Sequence, residues 1–169
     1  MTAPFSHETV FDASGKTAVL AAYFNEQHLA VQDKAAGLSD RMIVEAFEDE
    51  AVRKCTWSVR STRALPVYVR PFVEGGRLAY RESMTWRKAD DEIDETIVPQ
   101  VLGGRVLIES LYQLGDVAPG KVRRRFAGTV TVNLSLLSGK IERAIVAEIE
   151  KGIPLMTECT RNWLVQSGA

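Results

Sequence analysis

The chain has 169 residues, 46% hydrophobic and 25% charged, with 21 basic against 22 acidic side chains for a formal net charge of −1. That balance excludes a disordered chain and leaves no whole-chain electrostatic pull toward nucleic acid or an anionic membrane. The longest apolar run, residues 18–24, falls far short of the ~20 residues of a membrane span, so no integral membrane association is expected. Cys55 and Cys159 cannot build a disulfide scaffold and form no C-x-x-C pair, which fits a reducing, cytoplasmic setting.

Residues 4–11 alternate Phe5, His7, Thr9 and Phe11 against Ser6, Glu8 and Val10, the period of a strand with one partly buried face. Ser14 is placed to N-cap a helix carrying Ala18, Val19, Ala22 and Tyr23 or Phe24. A second helical stretch with Leu29, Val31 and Ala35 runs to Gly37 as its C-cap. From residue 41 to 133 the period changes to two, with β-branched and aromatic residues between short turns, and six strands are expected. Met42, Val44 and Ala46 alternate with Ile43, Glu45 and Phe47; Cys55, Trp57 and Val59 share the next face, and Leu78, Tyr80, Glu82, Met84 and Trp86 the one after. The acidic Asp90-Asp91-Glu92 reads as a solvated hairpin turn rather than a metal site. Residues 93–98, 106–114 and 122–134 complete the set, the last two joined by a turn over residues 115–120. Residues 64–76 hold Pro66 and Pro71, which keep them out of a sheet interior and leave two roles, a fixed lid or a mobile gate.

Ser138 or Gly139 can cap a final helix reaching about residue 165, roughly 28 residues or about 42 Å at 1.5 Å per residue. Ile141, Ile145, Ile149, Gly152, Met156, Cys159 and Trp163 fall on one half-face, so the helix is expected to lie lengthwise on a sheet. Pro154, about 170° from the centre of that face, would bend it from the outer side.

Strand, two small helices, six antiparallel strands and one long C-terminal helix is an order that resembles the START-like, or SRPBCC, superfamily with its birch-pollen-allergen-type helix-grip fold. The likeness covers nearly the whole chain. Ser138-Gly139-Lys140-Ile141-Glu142 looks like the Gly-and-acid start of many such final helices. The stretch from Arg63-Ala64-Leu65-Pro66 through Glu82-Ser83-Met84 is similar to an uncharacterised bacterial branch of the superfamily and, more distantly, to the mitochondrial intermembrane-space phospholipid-transfer group. The resemblance implies an α+β fold, a curved antiparallel sheet of about seven strands gripping the C-terminal helix, with two short helices after strand 1. It also implies one START-like domain over residues 1–169. The superfamily houses lipid carriers, polyketide cyclases and aromatases, oxygenase domains and co-chaperones, so it does not choose among them.

A curved sheet gripping one helix leaves space between them, and Gly152 removes a side chain where the helix is expected to face the sheet. The alternative role for Gly152 is to permit close helix–sheet contact. The expected walls are Trp57, Tyr80, Met84, Trp86, Ile108, Tyr112, Phe126, Ile145, Ile149 and Met156, an apolar and aromatic lining for a lipid or other hydrophobic small molecule. Within Lys121-Val122-Arg123-Arg124-Arg125, alternation sends Arg124 opposite to its neighbours, either to the surface or inward to hold an acidic head group.

Glu82 shares the alternation of Tyr80 and Met84, and Glu148 sits about 20° from Ile141 on the helix, so burial of either carboxylate would raise its pKa and suit it to proton transfer. The plain alternative places each at the rim or against an arginine such as Arg124. His7, on the face of Phe5 and Phe11, is the histidine nearest the sheet. None of the three is assigned as catalytic. His28 has no second ligand at metal spacing, no Gly-x-Ser-x-Gly elbow exists, and Gly75-Gly76 and Gly103-Gly104 are isolated pairs, so no metal or cofactor is expected. Two functions remain: carriage of a hydrophobic ligand, or a polyketide cyclase/aromatase-like enzyme in which His7, Glu82 or Glu148 moves a proton.

Overall fold

The computed structural model describes residues 2–63, 77–134 and 138–168. The segment 64–76, read above as lid or gate, lies outside them. Alternating side chains build seven strands: β1 (Thr2–Asp12), β2 (Leu38–Glu48), β3 (Val52–Ser61), β4 (Ala79–Arg87), β5 (Glu92–Pro99), β6 (Val106–Ala118) and β7 (Lys121–Val132). They form one antiparallel sheet in the order β1-β7-β6-β5-β4-β3-β2, so the first strand lies against the last.

Tight turns account for the meander from β2 to β7. Asp49 Oδ1 accepts from the Ala51 and Val52 amides, both at 2.8 Å, and closes the β2–β3 hairpin. The acidic stretch is indeed a hairpin turn: Asp91 takes a positive φ of 52°, and Arg87 bridges Asp90, Glu92 and Asp94. Strand β6 continues to Ala118, beyond the expected end, because the reversal needs only Pro119 and Gly120, the latter at φ 69°.

Three helices complete the chain: α1 (Lys16–Ala22), α2 (Glu26–Ala36) and α3 (Ser138–Ser167). Ser14 does not cap α1; the N-cap is Gly15 and no side chain bonds there. Asn25 caps α2 by accepting from the Gln27 and His28 amides at 2.9 and 3.2 Å, and left-handed Gly37 ends it as expected. Helix α2 buries Leu29 as expected, together with the polar His28, Gln32 and Asp33, and leaves Ala35 half-buried and Val31 exposed, so the buried face is more polar than the sequence suggested.

Helix α3 packs on β1 and β7 and also touches α1 and α2. Its buried line is Glu142, Val146, Ile153, Thr157, Thr160 and Leu164. This lies about 100° from the stripe expected from Ile141, Ile145, Ile149, Gly152, Met156, Cys159 and Trp163, all of which are half-buried. Polar residues take the deepest line because each finds a partner there. Glu142 accepts from the Val132 amide at 3.0 Å, Thr157 Oγ1 meets Arg124 at 2.8 Å, and Thr160 Oγ1 meets His28 at 3.1 Å and Gln32 at 3.3 Å.

Two apolar clusters flank the middle of the sheet. One joins Phe11, Leu20, Phe24, Trp57, Trp86 and Leu164; the other joins Phe5, Val106, Ile108, Val130 and Val146, and Phe126 packs against both. At the far edge, β2 leaves Met42, Ile43, Val44 and Phe47 half or more exposed. Among the described residues no helix is long and apolar enough to cross a membrane.

Candidate functional site: a polar-studded cavity under the long helix

Between the sheet, α2 and α3 lies a cavity of about 200 Å³, room for about seven waters at roughly 30 Å³ each. The strands furnish its floor by alternation: Tyr80, Glu82 and Met84 from β4, Glu95 and Ile97 from β5, Tyr112 from β6, Arg124 and Phe126 from β7. The helices and the start of β2 furnish Tyr23, Leu29, Gln32, Leu38, Arg41, Ile149, Gly152, Ile153 and Met156. A Cβ at Gly152 would meet nothing within 4 Å, so this glycine does not serve close helix–sheet contact.

Of the expected walls, Tyr80, Met84, Tyr112, Arg124, Phe126, Ile149, Gly152 and Met156 border this space. Trp57 and Trp86 do not, because the Phe24 ring lies against both, with centroids 6.3 Å from each. Ile108 and Ile145 belong with the second apolar cluster instead.

The charged groups divide into an acidic and a basic end. Arg41 donates to Asp33 from Nε and Nη2, both at 2.8 Å, and to Glu82 from Nη1 and Nη2, both at 3.1 Å. Glu82 is therefore buried and paired, with Arg41 and not with Arg124. Beside it Glu95, also buried, accepts from the Ser110 hydroxyl and from the Tyr112 phenol at 3.3 Å. Burial first, and then the Glu82 charge, push the Glu95 carboxyl up to about 7. Burial also raises the Tyr80 and Tyr112 phenols, reinforced by Glu82 and Glu95 respectively, so both stay neutral donors.

At the other end Arg124 is buried where alternation could point it, while Arg123 and Arg125 are exposed. Its Nη1 donates to the Tyr23 hydroxyl at 2.6 Å and its Nη2 to Thr157 Oγ1 at 2.8 Å, and its guanidinium stands 5.1 Å from the Phe11 ring centroid. Among the described residues its Nε has no partner.

The remaining candidates lie elsewhere. His7 is half-buried on β1, opposite Phe126 in the register but outside the cavity lining. Glu148 is exposed and bonds Lys151 at 2.7 Å, which holds its carboxyl below the usual range. It points away because the buried line of α3 is rotated from the expected one. Sequence reasoning passed over Glu95, Asp33 and Arg41. Glu95 carries the same signal as Glu82, since Ile93 and Ile97 flank it at period two, whereas Asp33 and Arg41 meet only through the reversal at Gly37.

A seven-stranded antiparallel sheet with two helices after β1 and a long last helix across it is the START-like helix-grip fold. Solved structures with this fold are similar over almost their full length. The Zhui aromatase/cyclase from Streptomyces sp. R1128 has a TM-score of 0.69 at 9% identity, covering 100% of this chain and 97% of that one. TTHA0849 from Thermus thermophilus gives 0.66 at 10%, covering 99% and 100%. A START superfamily protein from Mycobacterium smegmatis gives 0.60 at 10%, covering 96% and 97%. No curated protein matches the sequence. A family model described as "Protein of unknown function (DUF2505)" matches residues 2–164, and the chain belongs to that family.

Proposed function

We propose that the protein binds a hydrophobic or amphipathic small molecule in the cavity between sheet and α3. The observation that carries this reading is the cavity itself, a gap walled by Met84, Ile97, Phe126, Ile149, Ile153 and Met156 in an interior that close packing would otherwise fill. The flexible Met84 and Met156 side chains let its walls adapt to an apolar chain. The helix-grip fold, shared with a START superfamily protein, supports the same class.

Native mass spectrometry after exposure to a lipid and metabolite extract, followed by organic extraction, tests the reading. A stoichiometric amphipathic adduct is expected on the wild type and is expected to be lost in a folded Gly152→Trp variant, whose ring would occupy the space. No adduct on the wild type, or an adduct undiminished in that variant, would overturn it.

One observation favours a second reading, an enzyme of the cyclase or aromatase kind. Glu95 holds its proton near neutrality inside the cavity, bonded to Tyr112, as a general acid must. The aromatase/cyclase among the similar folds agrees with this reading without carrying it. Under it, Glu95 rather than His7 or Glu148 moves the proton, and burial first, then the charge of Glu82 held by Arg41, keeps the carboxyl protonated.

A further inference from the structure

An arginine keeps its charge at every pH a protein survives, so burying one without an acid leaves a large desolvation penalty standing. Arg41 shows the usual settlement, four hydrogen bonds to Asp33 and Glu82. Arg124 departs from it. It is 3% exposed, yet its terminal nitrogens meet two neutral hydroxyls, its face meets Phe11, and its Nε meets no partner among the described residues. Among the described residues it has no carboxylate partner. Neither acid of the cavity is spare, because Glu82 is held by Arg41 and Glu95 by Ser110 and Tyr112.

Resting on the binding reading above, we propose that Arg124 is the seat for the carboxylate of the ligand, which is therefore an amphipathic monocarboxylate. Tyr23 and Thr157 each take one N–H and so fix the guanidinium plane. That leaves the Nε–H and one N–H on each terminal nitrogen for a carboxylate, the paired geometry in which arginine binds best. Phe126, Ile153 and Met156, which share the cavity wall with Arg124, receive the tail. A space of about 200 Å³ lies below the ~300–1,000 Å³ of drug-sized sites, which selects a single chain of medium length over a two-chain lipid.

Calorimetric titration with octanoate, 1-octanol and octylamine separates head group from tail. Octanoate is expected to bind the wild type at least roughly tenfold tighter than octanol, with octylamine weakest. In Arg124→Gln the octanoate advantage is expected to vanish while octanol affinity stays. Because that variant perturbs a buried site, a second measurement uses the wild type alone. The carboxyl resonance of ¹³C-labelled octanoate is expected to titrate at lower pH when bound than when free, since the adjacent cation favours the ionised form. Equal binding of octanol, or an unshifted carboxyl titration, would overturn the carboxylate seat and leave the cavity reading standing. Failure of all three probes to bind the wild type would overturn both.

Discussion

Glu95 and His28 are buried titratable groups with opposite pH signatures. Burial raises Glu95 from 4.5 to about 7. Between those values the folded chain keeps a proton that the unfolded chain has lost, so this contribution to stability is full below the window and is lost as pH rises through it. His28 runs the other way. Burial lowers it from 6.5 to about 4, so its contribution is present above that range and is lost as pH falls through it. Glu95→Gln keeps the shape and one acceptor oxygen, which serves Ser110 or Tyr112 but not both, and cannot ionise. Urea midpoints of wild type and variant are expected to approach each other at the acid end of the Glu95 window and to separate at its alkaline end, with the variant higher. Parallel midpoints across the window would show that Glu95 ionises as an ordinary surface carboxylate does. Alternation left Arg124 and Glu82 open between the interior and the surface or rim, and it carried the same signal for Glu95, which was passed over. It could not pair Asp33 with Arg41, because no helix or strand spacing joins residues on either side of a left-handed turn.

At the level of elements, α3 shows why its length was legible and its orientation was not. The apolar stripe from Ile141 to Trp163 marks a real helix, but a pattern count treats Glu142, Thr157 and Thr160 as outward residues. Each of them has a buried partner on another element, and partners distant in sequence leave no local trace. Two glycines in this part of the fold invite opposite predictions. A Cβ at Gly152 meets open space, so Gly152→Ala is expected to stabilise the protein by about 0.5–1 kcal/mol through helix propensity. At Gly128 on β7, a Cβ would fall 2.6 Å from Phe5 and 2.8 Å from Ser110 and would clash with the Glu109 carbonyl oxygen. Gly128→Ala is expected to cost about 1–3 kcal/mol or more. Chemical denaturation of the two variants checks both signs.

Across the whole molecule, cover is uneven. Helix α3 shields β1 and β7, whereas β2 is bonded only to β3 and its side chains from Met42 to Glu48 are exposed. Native-state hydrogen exchange is expected to be fastest in β2 among the strands, through openings that leave the rest folded, and slowest in β7, which is paired on both sides and covered by α3. Uniform protection across the sheet would contradict this gradient. The strand count and the order of elements were readable from period and turns, but local pattern says nothing of which strands are neighbours. The order of the sheet, with β1 against β7, comes from the structure. The pairing of Phe11 with Val122 and of Thr2 with Thr131 has a consequence for synthesis. On the ribosome β1 is made early and has no strand to join until β7 emerges, and α3 follows later still. The meander β2–β6 can form as it is translated, while the arch that holds the cavity closes only after the last strand is made, which places this fold among those of high contact order.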